Sequence, residues 1–381
     1  MTDPTDIQLR DRLVALTRDL VLIPSIPGRP DDLRQCYEFV RNHLEDLPRV
    51  EIQDLENGGV ASLIAGPAHT PRPEVMMIAH LDVVTHPDIR QYRSIVENGR
   101  IIGPGAGDMK GALAILMVLF RRFHREHPGI NLGLTVTTDE ETGGQHGVGF
   151  LVADKNLRCN VAMIPDGGSL NEITVEEKGV MHLRLSRSGH PAHAARPWLG
   201  DNPLEKLMEG LNRLKHAFAS WKQVDHTWYP TCTVTSIGTE NETINRLPAE
   251  AHALLDIRFP LPHSTASILK LVKECVGAEV TIESKICAEP THLDPDPVYR
   301  EITTTITGRP TQLARESGGS DARFLTPHNI PVLMSRPLVG NLHAPDEWID
   351  IDSMVQFYRI YETYLRRRFE LGTQDRNGSG I

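Results

Sequence analysis

The sequence predicts an α/β protein: a mostly parallel sheet flanked by helices, with a smaller ferredoxin-like βαββαβ domain inserted into it. Three observations carry this. The chain has 381 residues, and single cores rarely grow far beyond a couple of hundred residues, so two domains are expected. Short, wholly apolar strand-like runs alternate with helical segments over the first half, as in sheets buried on both faces. From about Gly179 the pattern changes to alternating strands and two helices, and then it reverts.

Leu9 to Val21 has helical spacing with Asp6 as a candidate cap. Glu74 to His80 is an apolar strand that runs into His80-Leu81-Asp82. Met109 to Phe123 reads as a buried helix. Leu132 to Thr138 is a strand ending at Asp139-Glu140-Glu141, and Val161 to Ile164 is a strand ending at Asp166. Ligands of such sheets bind beyond the carboxyl ends of the strands, which is where His80, Glu140, Glu141 and Asp166 fall.

Val180–Ser186, a helix opened by Asn202-Pro203, Thr231–Ile237, Leu254–Phe259, a helix over Ser267–Cys275 and Glu279–Ile286 give the βαββαβ order. Residues 179–287 are the expected inserted domain, between catalytic segments 1–178 and 288–381. Pro331–Pro337 and Ser353–Phe369 return to the first domain, and the last ten residues read as a frayed tail.

Composition narrows the function. A net charge of −10 argues against a nucleic-acid partner, which needs a basic patch. The longest apolar run, Gly111 to Phe120, is too short to span a bilayer. The acidic opening residues carry no secretory pattern. Five widely spaced cysteines, none in a CxxC pair, fit reduced thiols. A cytoplasmic enzyme without membrane attachment is expected.

The chemistry is concentrated in clusters of histidine and carboxylate. His80 and Asp82, two apart on a strand, point to one face. Asp82 could hold the second nitrogen of a metal-binding His80, or the pair could be surface groups. Asp108 follows Gly103, Gly105 and Gly107, whose backbone freedom could aim it away from the next helix; an N-cap is the alternative. Glu140 and Glu141, as consecutive strand residues, could divide metal binding and proton transfer between them; solvated loop acids are the alternative. His343 lies in Asn341-Leu342-His343-Ala344-Pro345-Asp346-Glu347, one histidine among 17.

In their order, these motifs resemble the metallopeptidase family that includes acetylornithine deacetylase, succinyl-diaminopimelate desuccinylase, aminoacylase and carboxypeptidase G, from about Leu9 to Phe369. The resemblance implies two divalent metal ions, zinc first with cobalt or manganese as alternatives. His80 and Asp166 would bind one and Glu141 and His343 the other, with Asp108 bridging them across a cis Asp108–Met109 peptide. Asp82 would support His80, and Glu140 would be the general base.

The insert would be a lid and homodimerisation domain. Within Ser188-Gly189-His190-Pro191-Ala192-His193, it would supply His193 to the oxyanion. Asn245 and Arg258 would hold substrate oxygens, Arg258 by bidentate hydrogen bonds unless it is only an outward strand residue. Gly319 and Ser320 belong to a segment resembling the desuccinylase substrate loop, where Asp321 could be a helix cap. Asp166-Gly167-Gly168 departs from the Glu-Pro-Thr usual in deacetylases and desuccinylases and is closer to aminoacylases and dipeptidases. The expected substrate is a small N-acylated amino acid with a free carboxylate. The alternatives are a dipeptide, aminopeptidase or carboxypeptidase substrate, or a non-catalytic metal-binding scaffold.

Overall fold

A computed structural model describes residues 4–68, 70, 72–222 and 227–371; the expected C-terminal tail lies outside them. The chain divides into two compact units. The larger comprises residues 1–175, 293–315 and 320–381, and the smaller 176–292 and 316–319.

The larger unit is built on a six-stranded sheet. Its spatial order is Val50–Asn57, Val60–Pro67, Leu132–Thr137, Val75–His80, Val161–Met163 and Val332–Leu333. The last four strands are parallel, and the first two form an antiparallel hairpin that joins Leu132–Thr137. Every residue of Val75–His80 and Leu132–Thr137 is buried, as the unbroken apolar runs predict for a sheet covered on both faces.

Alternation along one strand shows the two layers. Val75, Met77 and Ala79 join the core with Leu116, Phe120, Phe357 and Tyr361. Met76 and Ile78 point the other way, to Val148, Leu151, Ala322 and Leu325. Helix Gly111–Glu126 is buried along 111–120, and Leu116→Ala there should cost about 2–5 kcal/mol.

Two helix starts differ from expectation. The first helix begins at Pro4, so Asp6 lies inside its first turn and pairs with Arg359 instead of capping. The long helix begins at Gly111, not Met109, because Asp108 and Met109 have extended or intermediate backbone angles. The hairpin strands carry half-buried patterns too weak to register as strands in the sequence.

The smaller unit is an antiparallel sheet in the order Thr231–Gly238, Glu250–Phe259, Gly179–Ser188, Thr281–Ala288. Helices Pro203–Ala219 and Thr265–Val276 complete the βαββαβ arrangement. Met181, Leu183 and Leu185 pack with Ala253, Leu255, Ile257, Leu207, Leu214, Ile268 and Val272, so period-2 strands and period-3.6 helices bury one shared apolar face. Asn202 caps the first of these helices by accepting the Leu204 N–H at 3.1 Å. Ser264 and Ser267 form a reciprocal capping box at the second. Among the described residues no helix is long and apolar enough to cross a membrane. The five cysteines are free.

Candidate metal centre

Three neighbouring parallel strands, in the order Leu132–Thr137, Val75–His80, Val161–Met163, end side by side. They deliver Glu140 and Glu141, His80, and Asp166 to one edge of the sheet. The loop before helix Gly111–Glu126 adds Asp108, and the turn before strand Trp348–Asp350 adds His343. Ligand atoms of His80, Glu140 and Asp166 lie within 4.8 Å of one another, as do those of Asp108, Glu141 and His343.

Asp108 joins the two groups. Its Oδ1 is 3.1 Å from His80 Nε2 and its Oδ2 is 3.3 Å from His343 Nε2. His343 Nε2 is also 3.4 Å from Glu141 Oε2. One carboxylate thus offers an oxygen to each side, the arrangement a bridging ligand between two cations needs. The N-cap alternative for Asp108 fails, since no side chain caps that helix. The Asp108–Met109 peptide is cis.

Asp82 is fully buried and works on two elements. Its oxygens accept the backbone N–H groups of Glu140 and Glu141 at 3.2 and 3.0 Å, and Oδ1 lies 3.5 Å from His80 Nδ1. His80 Nδ1 also meets the Asp82 carbonyl oxygen at 3.0 Å, which leaves Nε2 as the nitrogen facing the site. Glu140 and Glu141 are not consecutive strand residues. They sit in a 3₁₀ turn, Glu140–Thr142, after the strand has ended at Thr137, and that turn sends one carboxylate to each ligand group.

The Asp108 loop is clamped by residues whose roles the sequence does not announce. Glu347 Oε1 accepts the N–H groups of Gly107 at 2.7 Å and Asp108 at 2.8 Å. The Glu347 carbonyl accepts the Gly103 N–H at 2.7 Å. Lys110 is fully buried and donates to the carbonyls of Leu20 and Ile23, at the end of the first helix. Gly105 has φ 81°, and a Cβ there would approach Val83 to 2.3 Å. Gly107 needs no unusual φ, but a Cβ would press on Val339 and Leu342 at 2.9 and 3.0 Å. His343 itself holds φ 62°, a left-handed conformation uncommon outside glycine, in which asparagine, aspartate and histidine are the side chains most often found.

Burial and mutual proximity shift the protonation of this cluster. Burial pushes Glu140 up to about 7, opposed by His80 and reinforced by Asp108. Glu141 rises to about 8, from burial and then Asp108. Burial raises Asp166 well above the carboxylate range, with Asp108 and Glu140 adding to it. Burial also favours neutral Asp108, yet hydrogen bonds from His343 and His80 hold it well below that range.

His80 is raised against the pull of burial by Asp108 and Asp82. His343 reaches about 9, chiefly through its bond to Asp108. Glu140, Glu141 and Asp166 are therefore shifted toward their protonated forms, beside an ionised Asp108 and two imidazoles shifted toward their charged forms. Imidazole nitrogen and carboxylate oxygen are the donor types that suit zinc, cobalt or manganese, so the residues fit a pair of divalent ions, whose binding would displace those protons.

The remaining expected residues belong to neither ligand group. His193, exposed, accepts the Ala195 N–H on Nδ1 at 3.1 Å. Asn245 is exposed on the neighbouring loop, where its carbonyl accepts the Ala194 N–H at 2.9 Å. Arg258 is bound in a two-pronged pair with Asp256, at 2.7 and 3.2 Å. All three belong to the smaller unit, as does Gly319.

Ser320 is buried and accepts the Ala322 N–H at 3.2 Å. Asp321 stands at the N-cap position of helix Ala322–Leu325, but its side chain makes no capping hydrogen bond. It is buried, and a Cβ on Gly144 would come within 2.4 Å of its Oδ1. Arg323 donates to the Gly143 carbonyl at 2.7 Å, so this segment braces the Glu140 turn.

The family model for peptidase family M20/M25/M40 matches residues 76–367. A succinyl-diaminopimelate desuccinylase from Hahella chejuensis is 27% identical, over 94% of this chain and 97% of its own length. One from Parvibaculum lavamentivorans is 28% identical, over 78% and 80%. Among solved structures, the M20 family metallo-carboxypeptidase Sso-CP2 from Sulfolobus solfataricus superposes with a TM-score of 0.76 at 17% identity, over 97% of this chain and all of that one (100%).

Proposed function

This chain belongs to peptidase family M20/M25/M40 and is a hydrolase, and we propose that it cleaves the amide bond of a small N-acylated amino acid bearing a free carboxylate. The observation that carries the reading is Asp108 joining two ligand groups at one sheet edge. Full-length similarity to desuccinylases supports deacylation over peptide cleavage. Zinc is the proposed ion, in a cytoplasmic homodimer formed through the smaller unit.

Bound divalent ions would polarise the scissile carbonyl and make water a better nucleophile. The protein's own part is positional. Asp82 fixes His80 and the Glu140 turn, while Glu347 and Lys110 fix the loop carrying Asp108. Glu140 takes the proton of the attacking water and returns it to the leaving amine. His193 donates to the developing oxyanion, Arg258 and Asn245 hold substrate oxygens, and Gly319 and Ser320 bind the substrate.

The test is amine release from N-acetyl, N-succinyl and N-carbamoyl amino acids and unblocked dipeptides, with and without chelator. Chelator-sensitive cleavage of blocked substrates is expected. Turnover of dipeptides alone would refute the deacylase assignment.

A further inference from the structure

Arg336 is an ionic group beside the metal centre that the catalytic scheme leaves unused. The parallel register explains its position. Leu333 pairs with Met163, and Arg336 lies three residues past Leu333 just as Asp166 lies three past Met163. The two side chains therefore emerge next to each other at the same sheet edge. Arg336 is only 11% exposed, and its nearest ionic contact, Nη1 to Asp166 Oδ1, is 3.7 Å, beyond hydrogen-bond length. Its Nε is buried with no hydrogen-bond partner among the described residues.

Other arginines of similar exposure each close a charged hydrogen bond, although Arg187 too keeps an unpartnered buried Nε. Arg121 donates to Asp46 at 2.9 Å, Arg366 to Glu126 at 2.8 Å, and Arg187 to Glu279. A guanidinium offers five donors in a fork that matches a carboxylate, and leaving it buried and unpaired is costly. A counter-ion for Asp166 would close to bidentate geometry, as Arg258 does on Asp256. Arg336 does not.

We propose that Arg336 is a substrate-binding residue whose guanidinium receives a carboxylate of the acylated amino acid. It would thereby select anionic substrates from within the larger unit, independently of Arg258. The carboxylate is that of the acyl chain or that of the amino acid, and the proposal rests on the deacylase reading.

Metal-loaded wild type, Arg336→Met and Arg336→Lys are compared on three substrates: an N-succinyl amino acid, an N-acetyl amino acid and a succinyl anilide lacking the amino-acid carboxylate. Arg336→Met should raise KM roughly 10- to 100-fold, as for loss of a charge-assisted pair, with a smaller change in kcat and unaltered metal content. Arg336→Lys should fall between. The substrate whose KM does not move lacks the carboxylate that Arg336 reads.

An unchanged KM throughout, or metal content falling in step with activity, would overturn the proposal in favour of a counter-ion role. Calorimetric titration of the same proteins with succinate and with the free amino acid gives a reading without turnover. If no substrate is cleaved, the deacylase reading fails while Arg336 is still judged by whether its loss abolishes carboxylate binding.

Discussion

The two units treat charge in opposite ways. At the sheet edge of the larger unit, Asp82, Asp108, Glu140, Glu141, Asp166 and His80 are buried or nearly so, and the protonation of all but Asp82 is displaced from ordinary values. In the smaller unit the core cluster is apolar, and the buried Glu177, Lys178 and Arg187 have hydrogen-bond partners. Its functional candidates, His193 and Asn245, stand exposed, and Arg258 is neutralised by Asp256. One region stores unfavourable electrostatics that a cation can relieve, and the other keeps its polar groups solvated or paired. Changes in the first should therefore act on metal and turnover together or separately according to which carboxylate is touched. Changes in the second should act on turnover without touching metal or stability.

The largest effect should come from Glu140→Gln, which keeps the shape of the turn but cannot take a proton. Turnover should fall by roughly 10²–10⁴, the range for loss of a general base, with both metal equivalents retained by elemental analysis. Retained activity would remove Glu140 from the base role, and loss of one metal equivalent would make it a ligand with His80 and Asp166.

Next in size, His193→Ala should lower kcat by about 10²–10³, as for one oxyanion donor. Its melting temperature should be unchanged, since the side chain is exposed. A fall in melting temperature of the size seen for core substitutions would show that the contrast between units is misdrawn.

Glu347→Ala removes the acceptor for the N–H groups of Gly107 and Asp108 and should weaken metal binding about 10- to 100-fold, the usual cost of an outer-sphere partner. Glu347→Gln, which keeps an acceptor oxygen, should recover most of it in chelator competition. Equal loss in both variants would point to the charge of Glu347 instead of its hydrogen bonds.

The smallest effect is on pH dependence. Carboxyl groups raised to about 7 in Glu140 and Glu347 and about 8 in Glu141 keep protons in the folded state that the unfolded chain releases near 4.5. Raised His343, at about 9, holds a proton that the unfolded chain loses near 6.5. In both cases the folded state binds more protons, so stability of the metal-free protein should fall as pH rises from about 5 to 9. Metal should flatten that slope, because it replaces the protons. A metal-free melting temperature that rises over this range would contradict the buried-charge description.

Much of this organisation is legible in the chain. Unbroken apolar runs such as 75–79 and 132–136 announce a sheet covered on both faces, and the switch to period-2 alternation after Gly179 announces the second unit. His80, Asp82, Asp108, Glu140, Glu141, Asp166 and His343 are visible because polar residues end apolar strands or follow glycine-rich turns. The strands of Val50–Asn57 and Val60–Pro67 are not legible, since half-burial dilutes their alternation. Glu347, Lys110, Arg323 and Arg336 are not legible either. Their partners lie far away along the chain, 240 residues in the case of Glu347 and Gly107, and nothing local distinguishes such side chains from solvated charges.

The sequence by itself thus determined the layer architecture, the inserted βαββαβ unit and the inventory of candidate metal-binding side chains, because periodicity and strand-end chemistry are local properties. Tertiary structure alone decided that Asp108 turns one oxygen to each histidine and that Glu140 and Glu141 separate by a 3₁₀ turn. It alone also decided that Glu347 holds the Asp108 loop and that Arg336 is left with an unpaired buried donor. Those outcomes depend on which strands become neighbours and in what register, and the free energy that selects the register is spread over the whole buried sheet.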